Sequence, residues 1–233
     1  MKQIDLLPPR LRFAADRVRR GAVFADVGTD HAKLPIALAE AGRVSFAVAS
    51  DIGEQPAAIA AARIAERGLS DKIRVTVCDG LAPLEHFAPT DIAICGMGGE
   101  TIVGILDAAA FIRDTRVQLI LQPMTDFSML RTYLAASGFA VTEEDIVLSE
   151  GRMYQCLCAA YTGVPYTLTP IEAELGRLNI EKRTPLFLRY VHRRKAIVEK
   201  QIAGKRKAGA DAAAELALLD GYNGILEGEY EIT

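Results

Sequence analysis

From Gly21 to about Tyr161 the hydrophobic positions gather into short, nearly continuous apolar runs separated by longer stretches with helical spacing. The runs Ala22–Val27, Phe46–Ile52, Ile73–Cys78, Asp91–Cys95 and Val117–Gln122 predict strands. Segments such as VFADV, FAVAS and QLILQ lack the alternation of a half-exposed sheet, which is the pattern of strands covered on both faces. Between them Ala32–Ala41, Pro56–Arg67, a short connector near Leu81–His86 and Glu100–Arg113 predict helical segments, and Asp126–Ser137 follows the fifth strand. Pro56 suits a first helical turn, where its missing N–H would be unpaired anyway, and Gly68 and Gly138 suit helix C-termini.

Repeated β-then-α units imply a parallel sheet with right-handed crossovers and helices on both faces. The last two strand candidates, Ala140–Leu148 and Met153–Tyr161, are joined only by Ser149-Glu150-Gly151-Arg152. That is a hairpin, so one edge of the sheet is expected to be antiparallel. The fold class is therefore α/β, with the outline of a Rossmann-like class I methyltransferase sheet of seven strands. Beyond the Pro/Gly/Thr-rich stretch 162–169 the pattern becomes helical. Thr169-Pro170-Ile171-Glu172 has the form of a capping box, with Leu175 and Leu178 following on one face. A longer helix is expected over Pro185–Ile202, its seam made by Phe187, Tyr190, Val191, Ile197, Val198 and Ile202. Asp211–Leu219 would return antiparallel to it, giving a coiled-coil-like helical hairpin. The expected division is a ligand-binding domain over 1–163, opened by a basic N-terminal helix over 1–20, and a helical domain over 164–233.

Composition adds exclusions. The chain has 233 residues, half of them hydrophobic and 24% charged, with a net charge of -3, which excludes an intrinsically disordered chain. No run of eighteen apolar residues is present, and Met1 to Arg20 lacks the apolar middle of a signal peptide. The four cysteines (Cys78, Cys95, Cys156, Cys158) fit neither a disulfide framework nor a zinc ribbon, and no metal site is expected. A cytoplasmic protein with reduced thiols, no membrane association and no obligate protein partner is the expectation. The mean charge conceals segregation. Residues 1–20 carry six basic and two acidic side chains, residues 21–176 ten and twenty, and residues 177–207 eleven and two. The last 26 residues add six acids and no base. An acidic body between two basic segments suits a polyanionic partner, although a basic helix is also an ordinary solvated face.

The sharpest chemical feature is Asp26-Val27-Gly28-Thr29-Asp30-His31-Ala32, between a buried strand and a helix. Gly28 permits a tight turn with close backbone approach, and the following helix offers free N–H groups. Only one glycine of the dinucleotide fingerprint is present, and Asp26 and Asp30 would repel a pyrophosphate. S-adenosylmethionine carries a sulfonium and an ammonium instead, so acids suit it. Asp51 ends the second strand, where an acid accepts hydrogen bonds from ribose hydroxyls, with Ile52 after it. Asp79-Gly80 ends the third, a position suited to an adenine amino group. Gly96-Met97-Gly98-Gly99 follows the fourth and lets a flat ring lie against the backbone. Each acid alone is compatible with a simple helix cap; three at consecutive strand ends mark where ligands bind in open α/β sheets. The Asn/Asp-Pro-Pro-aromatic tetrad of many exocyclic-amine methyltransferases is absent. His31 is the one imidazole beside this site, since His86 and His192 lie elsewhere.

The blocks DVGTDHAKLP (26–35), Asp79-Gly80-Leu81, Gly96-Met97-Gly98-Gly99 and Leu121-Gln122-Pro123 resemble the bacterial TrmK family, the tRNA (adenine(22)-N1)-methyltransferases. The resemblance continues into Pro185-Leu186-Phe187 and Tyr190 and so covers most of the chain. Met124 departs from it, since many members have Asn after the Gln-Pro pair. The resemblance implies S-adenosylmethionine as cofactor, held by Asp26, Gly28, Asp30, Asp51, Ile52, Asp79, Gly80, Gly96, Met97 and Gly98. It implies tRNA as partner, met by Arg10, Arg12, Gln122, Arg189, Arg193, Arg194 and Lys195, with Asp30 and His31 as the catalytic pair. Two other functions stay open on sequence grounds: a nicotinamide-dependent oxidoreductase, disfavoured by the acidic first loop, and a non-catalytic RNA-binding protein on the same fold.

Overall fold

A computed structural model describes residues 3–232. The chain enters through a 3-10 turn, Gln3–Leu6, and helix α1 (Pro9–Arg17). Pro8 and Pro9 separate them, with Pro9 taking the first helical position, so the single basic helix expected over 1–20 is broken in two.

Seven strands follow: β1 (Ala22–Val27), β2 (Val44–Asp51), β3 (Ile73–Val77), β4 (Asp91–Met97), β5 (Gln118–Pro123), β6 (Phe139–Ser149) and β7 (Arg152–Tyr161). They form one sheet in the order β3-β2-β1-β4-β5-β7-β6. The first five are parallel, and β7 runs antiparallel to both of its neighbours. The hairpin is present as expected, but its second strand is interior: β7 is inserted between β5 and β6.

Helices α2 (Lys33–Glu40) and α3 (Glu54–Glu66) cover one face together with α1, while α4 (Gly99–Asp107) and α5 (Phe127–Ala136) cover the other. Successive residues of β1 serve opposite cores, as the strand period requires: Phe24 packs with Leu34, Leu38 and Ile64, and Ala25 with Ile92 and Ile102. The helix expected over Glu100–Arg113 is shorter. It stops at Asp107, and a separate 3-10 turn, Ala110–Arg113, follows extended Ala109.

Thr169 and Glu172 form the expected capping box of α6 (Pro170–Leu175). Gly176, at φ +87°, turns the chain into α7 (Arg177–Lys182). Then come α8 (Pro185–Lys207) and α9 (Ala213–Glu227), both longer than the sequence pattern suggested. Phe187, Tyr190, Val191, Val198 and Ile202 of α8 pack with Tyr222 and Ile225 of α9 and with Ile146 of β6. Ile197 is 38% exposed instead of lying in that seam. Its neighbour Val198 takes the inward position, and adjacent helical residues point about 100° apart.

A buried polar network fastens these helices to the sheet. Arg131 of α5 donates to Glu144 Oε1 of β6 at 2.7 Å and to Gln155 Oε1 of β7 at 2.6 Å. Gln155 in turn donates to the Tyr190 hydroxyl at 2.9 Å. Among the described residues no helix is long and apolar enough to cross a membrane. No group of three His, Cys, Asp or Glu among them is placed to hold a metal ion.

Candidate active site

β1 ends at Asp26 and Val27, and Gly28 then takes φ +75°. The N–H groups of Gly28 and Thr29 both donate to the Ser50 carbonyl at 2.9 Å, which clamps the ends of β1 and β2 together. His31 and Ala32 follow with φ of +61° and +52°, and α2 begins one residue later than expected. Two successive non-glycine residues in the left-handed region are strained, by about 1–2 kcal/mol each. Asp30 opens this turn, and its side chain lies outside the described residues.

The turn borders a cleft of about 480 Å³ at the carboxyl ends of β1, β2 and β4. Asp26, Gly28, Asp51, Gly96 and Met97 all line it. Asp26 is 7% exposed and accepts a 2.6 Å hydrogen bond from the Thr29 hydroxyl. Burial pushes its carboxyl up to about 6; the Thr29 bond opposes that rise and the charge of Asp51 adds to it. Asp51 Oδ1 accepts from the Gly53 N–H at 2.9 Å, which fixes its carboxylate at the cleft edge. The Met97 methyl lies over Gly28, so closely that a Cβ there would overlap it.

The expected site residues did not include Pro8, Leu11, Thr29, Lys33, Cys95 or Glu150, which also line the cleft. Thr29 had a local signal, three residues after the acid it binds. Glu150, in the β6–β7 turn, had none, because only the sheet order brings that hairpin to β4. Apart from Asp30, whose side chain lies outside the described residues, four expected cofactor residues stand outside this lining. Ile52, 70% exposed, and Asp79 with Gly80 follow β2 and β3 on the adjoining rim. Gly98 caps α4 beside Thr125. His31 lines a neighbouring hollow instead of the cleft.

Residues 7–157 match the family model described as a methyltransferase domain. Over 165 residues the chain is 33% identical to the tRNA (adenine(22)-N(1))-methyltransferase of Bacillus subtilis (strain 168), spanning 68% of this chain and 69% of that one. The chain belongs to the tRNA (adenine(22)-N1)-methyltransferase family. A crystal structure from Streptococcus agalactiae, described as a protein of the NADB-Rossmann superfamily, is 31% identical with a TM-score of 0.85, covering 94% of this chain and 97% of that one. A Streptococcus pneumoniae protein in complex with S-adenosyl-L-methionine is 29% identical with a TM-score of 0.82, covering 93% and 98%.

Within this methyltransferase fold the residues expected to meet tRNA divide sharply. Arg10 is turned into the cleft, where Nη1 donates to Gln122 Oε1 at 3.4 Å and stands 3.7 Å from where a Gly96 Cβ would be. Gln122 is 1% exposed and donates its own amide to the Pro123 carbonyl at 2.9 Å. The expectation of an RNA contact at Gln122 is therefore replaced by a role in holding Arg10. Arg12 is paired with Asp5 at 3.1 Å and Asp16 at 3.8 Å. Arg194 is folded back onto Glu174 at 2.6 Å, so it does not offer a free charge, and Lys195 stands 3.9 Å from Glu199. Arg189 and Arg193 are exposed.

Proposed function

We propose that this chain methylates N1 of adenine 22 in tRNA, with S-adenosylmethionine as the donor. The observation that carries the reading is the buried Asp26, with Asp51 beside it, in a cleft bounded by the left-handed glycines Gly28 and Gly96. The cleft's carboxylates, Asp26, Asp51 and Glu150, outnumber its cations, Arg10 and Lys33. Asp26 and Asp51 stand at the strand ends where a dinucleotide would lay its pyrophosphate, which disfavours a nicotinamide oxidoreductase. The residues present thus fit the donor: Asp26 would meet its ammonium, Asp51 its ribose hydroxyls and Asp79 with Gly80 its adenine amino group. Ile52 would cover the adenine face, and Gly28, Asp30, Gly96, Met97 and Gly98 would border the remainder.

When bound, the donor supplies an electrophilic methyl group. Adenine N1 already has a lone pair, so no strong general base is required of the chain. Its side chains have two tasks, placing N1 in line and favouring the positive charge that develops on the base. Asp30 is assigned the second task and His31 the first. The strained His31-Ala32 turn supports this assignment, since such backbone persists where the surroundings over-determine it. Residues 1–163 would hold the donor, and the helical segment 164–233 would present Arg189 and Arg193 to the RNA. A tRNA substrate supports a cytoplasmic protein.

The test is incubation with labelled S-adenosylmethionine and bulk tRNA, followed by nucleoside analysis. Label in 1-methyladenosine is expected. Label in 6-methyladenosine would overturn the ring-nitrogen reading, and tight tRNA binding without transfer would favour a non-catalytic protein. Asp30→Ala is expected to lower turnover at least a hundredfold, a larger loss than any weakening of donor binding; unchanged turnover would remove Asp30 from the mechanism.

A further inference from the structure

Beside the donor cleft lies a second and larger hollow, of about 620 Å³, between the N-terminal 3-10 turn and helices α2 and α3. The two cavities share Pro8 and Lys33, and the strained His31 turn lines the second. Its cations are Lys33, Arg63 and Arg67, and Glu66 is its one carboxylate. Arg67 is engaged with Glu40 at 2.8 Å. The side chains of Lys33 and Arg63 have no hydrogen bond or ion pair among the described residues. The opposite wall is apolar, and its Leu6 is 59% exposed.

Like exposed Arg189 and Arg193 of α8, and unlike Arg194, Lys195 and Lys205, which each have a carboxylate partner, these two cations are uncompensated, and their hollow adjoins the donor cleft through Pro8 and Lys33. An adenine taken out of its stack carries its own phosphodiesters with it, and the neighbouring nucleotide must rest against protein within one backbone step. An apolar wall opposite two uncompensated cations has the chemistry of a nucleotide subsite, the wall for ribose or base and the cations for phosphate.

We propose that this hollow seats the RNA nucleotide adjoining the target adenine, with Arg63 and Lys33 binding its phosphodiester. The inference rests on the proposed tRNA methyltransfer and adds a docking site on the α2–α3 side of the molecule, away from the basic face of α8. Arg63 is the residue to test, because it lines only the hollow whereas Lys33 also faces the donor cleft.

The experiment compares the full chain with its Arg63→Glu and Arg63→Gln variants. It measures KM for a tRNA transcript, transcript affinity by anisotropy across a salt series, and S-adenosylhomocysteine affinity by calorimetry. Arg63→Glu is expected to raise KM and the transcript Kd about tenfold or more, with Arg63→Gln intermediate. The salt slope should fall by about one unit in the Gln variant, as for one lost phosphate contact. S-adenosylhomocysteine Kd should stay within about twofold. Unchanged transcript affinity and slope would overturn the proposal, and so would an equal weakening of S-adenosylhomocysteine. Should the parent chain methylate no tRNA, the functional reading fails, while the anisotropy series still decides whether the hollow binds RNA.

Discussion

The Thr29 hydroxyl donates to Asp26 Oδ2 at 2.6 Å, and both side chains are buried at the head of the cleft. This bond restrains a carboxyl that burial would otherwise push higher than about 6. A carboxyl raised on folding, from 3.8 to about 6, leaves the folded state uncharged for longer than the unfolded one. Its cost is absent below the unfolded value, grows between those two pH values and is complete above the folded one. About two pH units correspond to ~3 kcal/mol. Asp26→Asn should therefore raise Tm at pH 8 by more than at pH 5, while S-adenosylhomocysteine binding is lost. Thermal unfolding at both pH values, with calorimetry, checks this.

The same carboxyl sets the pH dependence of ligand binding. A ligand ammonium favours ionised Asp26, so affinity should fall as pH drops through about 6. In Thr29→Val the fall should begin at higher pH, because the bond that lowers the carboxyl has gone. An unmoved profile would show that Asp26 does not face the ligand's cation.

Three glycines should respond differently to alanine. Gly28→Ala forces a Cβ onto φ +75° and into the Met97 methyl, and should cost about 1–2 kcal/mol along with ligand affinity. Gly99→Ala would press on the Asp126 backbone carbonyl and should destabilise by about 1–3 kcal/mol. Gly104, inside α4, has open space around it, and Gly104→Ala should stabilise by about 0.5–1 kcal/mol. Urea denaturation of the three variants orders them.

Arg10 faces the cleft, in contrast to its expected place on an RNA surface. Arg10→Ala should weaken S-adenosylhomocysteine about tenfold, the loss of one charge-assisted hydrogen bond of ~1.5 kcal/mol. Transcript affinity should change by less than about twofold. The opposite result would return Arg10 to the RNA surface.

Arg131 and Glu144 are each 1% exposed, and Glu144 Oε2 also accepts from the N–H groups of Leu178 at 3.2 Å and Asn179 at 3.4 Å. Arg131→Met leaves a buried carboxylate without its cation and should cost about 3–5 kcal/mol. Hydrogen exchange should quicken first in α6 and α7, which the pair holds against the sheet.

What the sequence disclosed follows from how local each signal is. β1 to β5 were legible because strands covered on both faces must be nearly all apolar, and Asp26, Gly28, Asp51 and Gly96 because strand ends carry them together. The end of α4 was not legible: the run Ala108-Ala109-Ala110 contains no helix breaker, and the chain leaves the helix there through tertiary packing. The inward turn of Arg194 was equally hidden, since its partner Glu174 lies twenty residues away across a loop. Charge counted along the chain overstated the polyanion surface for the same reason. It registers cations and not the carboxylates that fold back onto them.

The insertion of β7 between β5 and β6 has a consequence for how the molecule is made. Gln118 of β5 pairs with Ala160, and Leu121 with Leu157, so the middle of the sheet waits for nearly the last strand residues to be synthesised. Until then β5 is an open, apolar edge on the growing polypeptide, the kind of surface that invites pairing with another chain. Ribosome-bound fragments ending before residue 152 should thus depend on chaperones, and the helices beyond 164 dock only after that edge is closed.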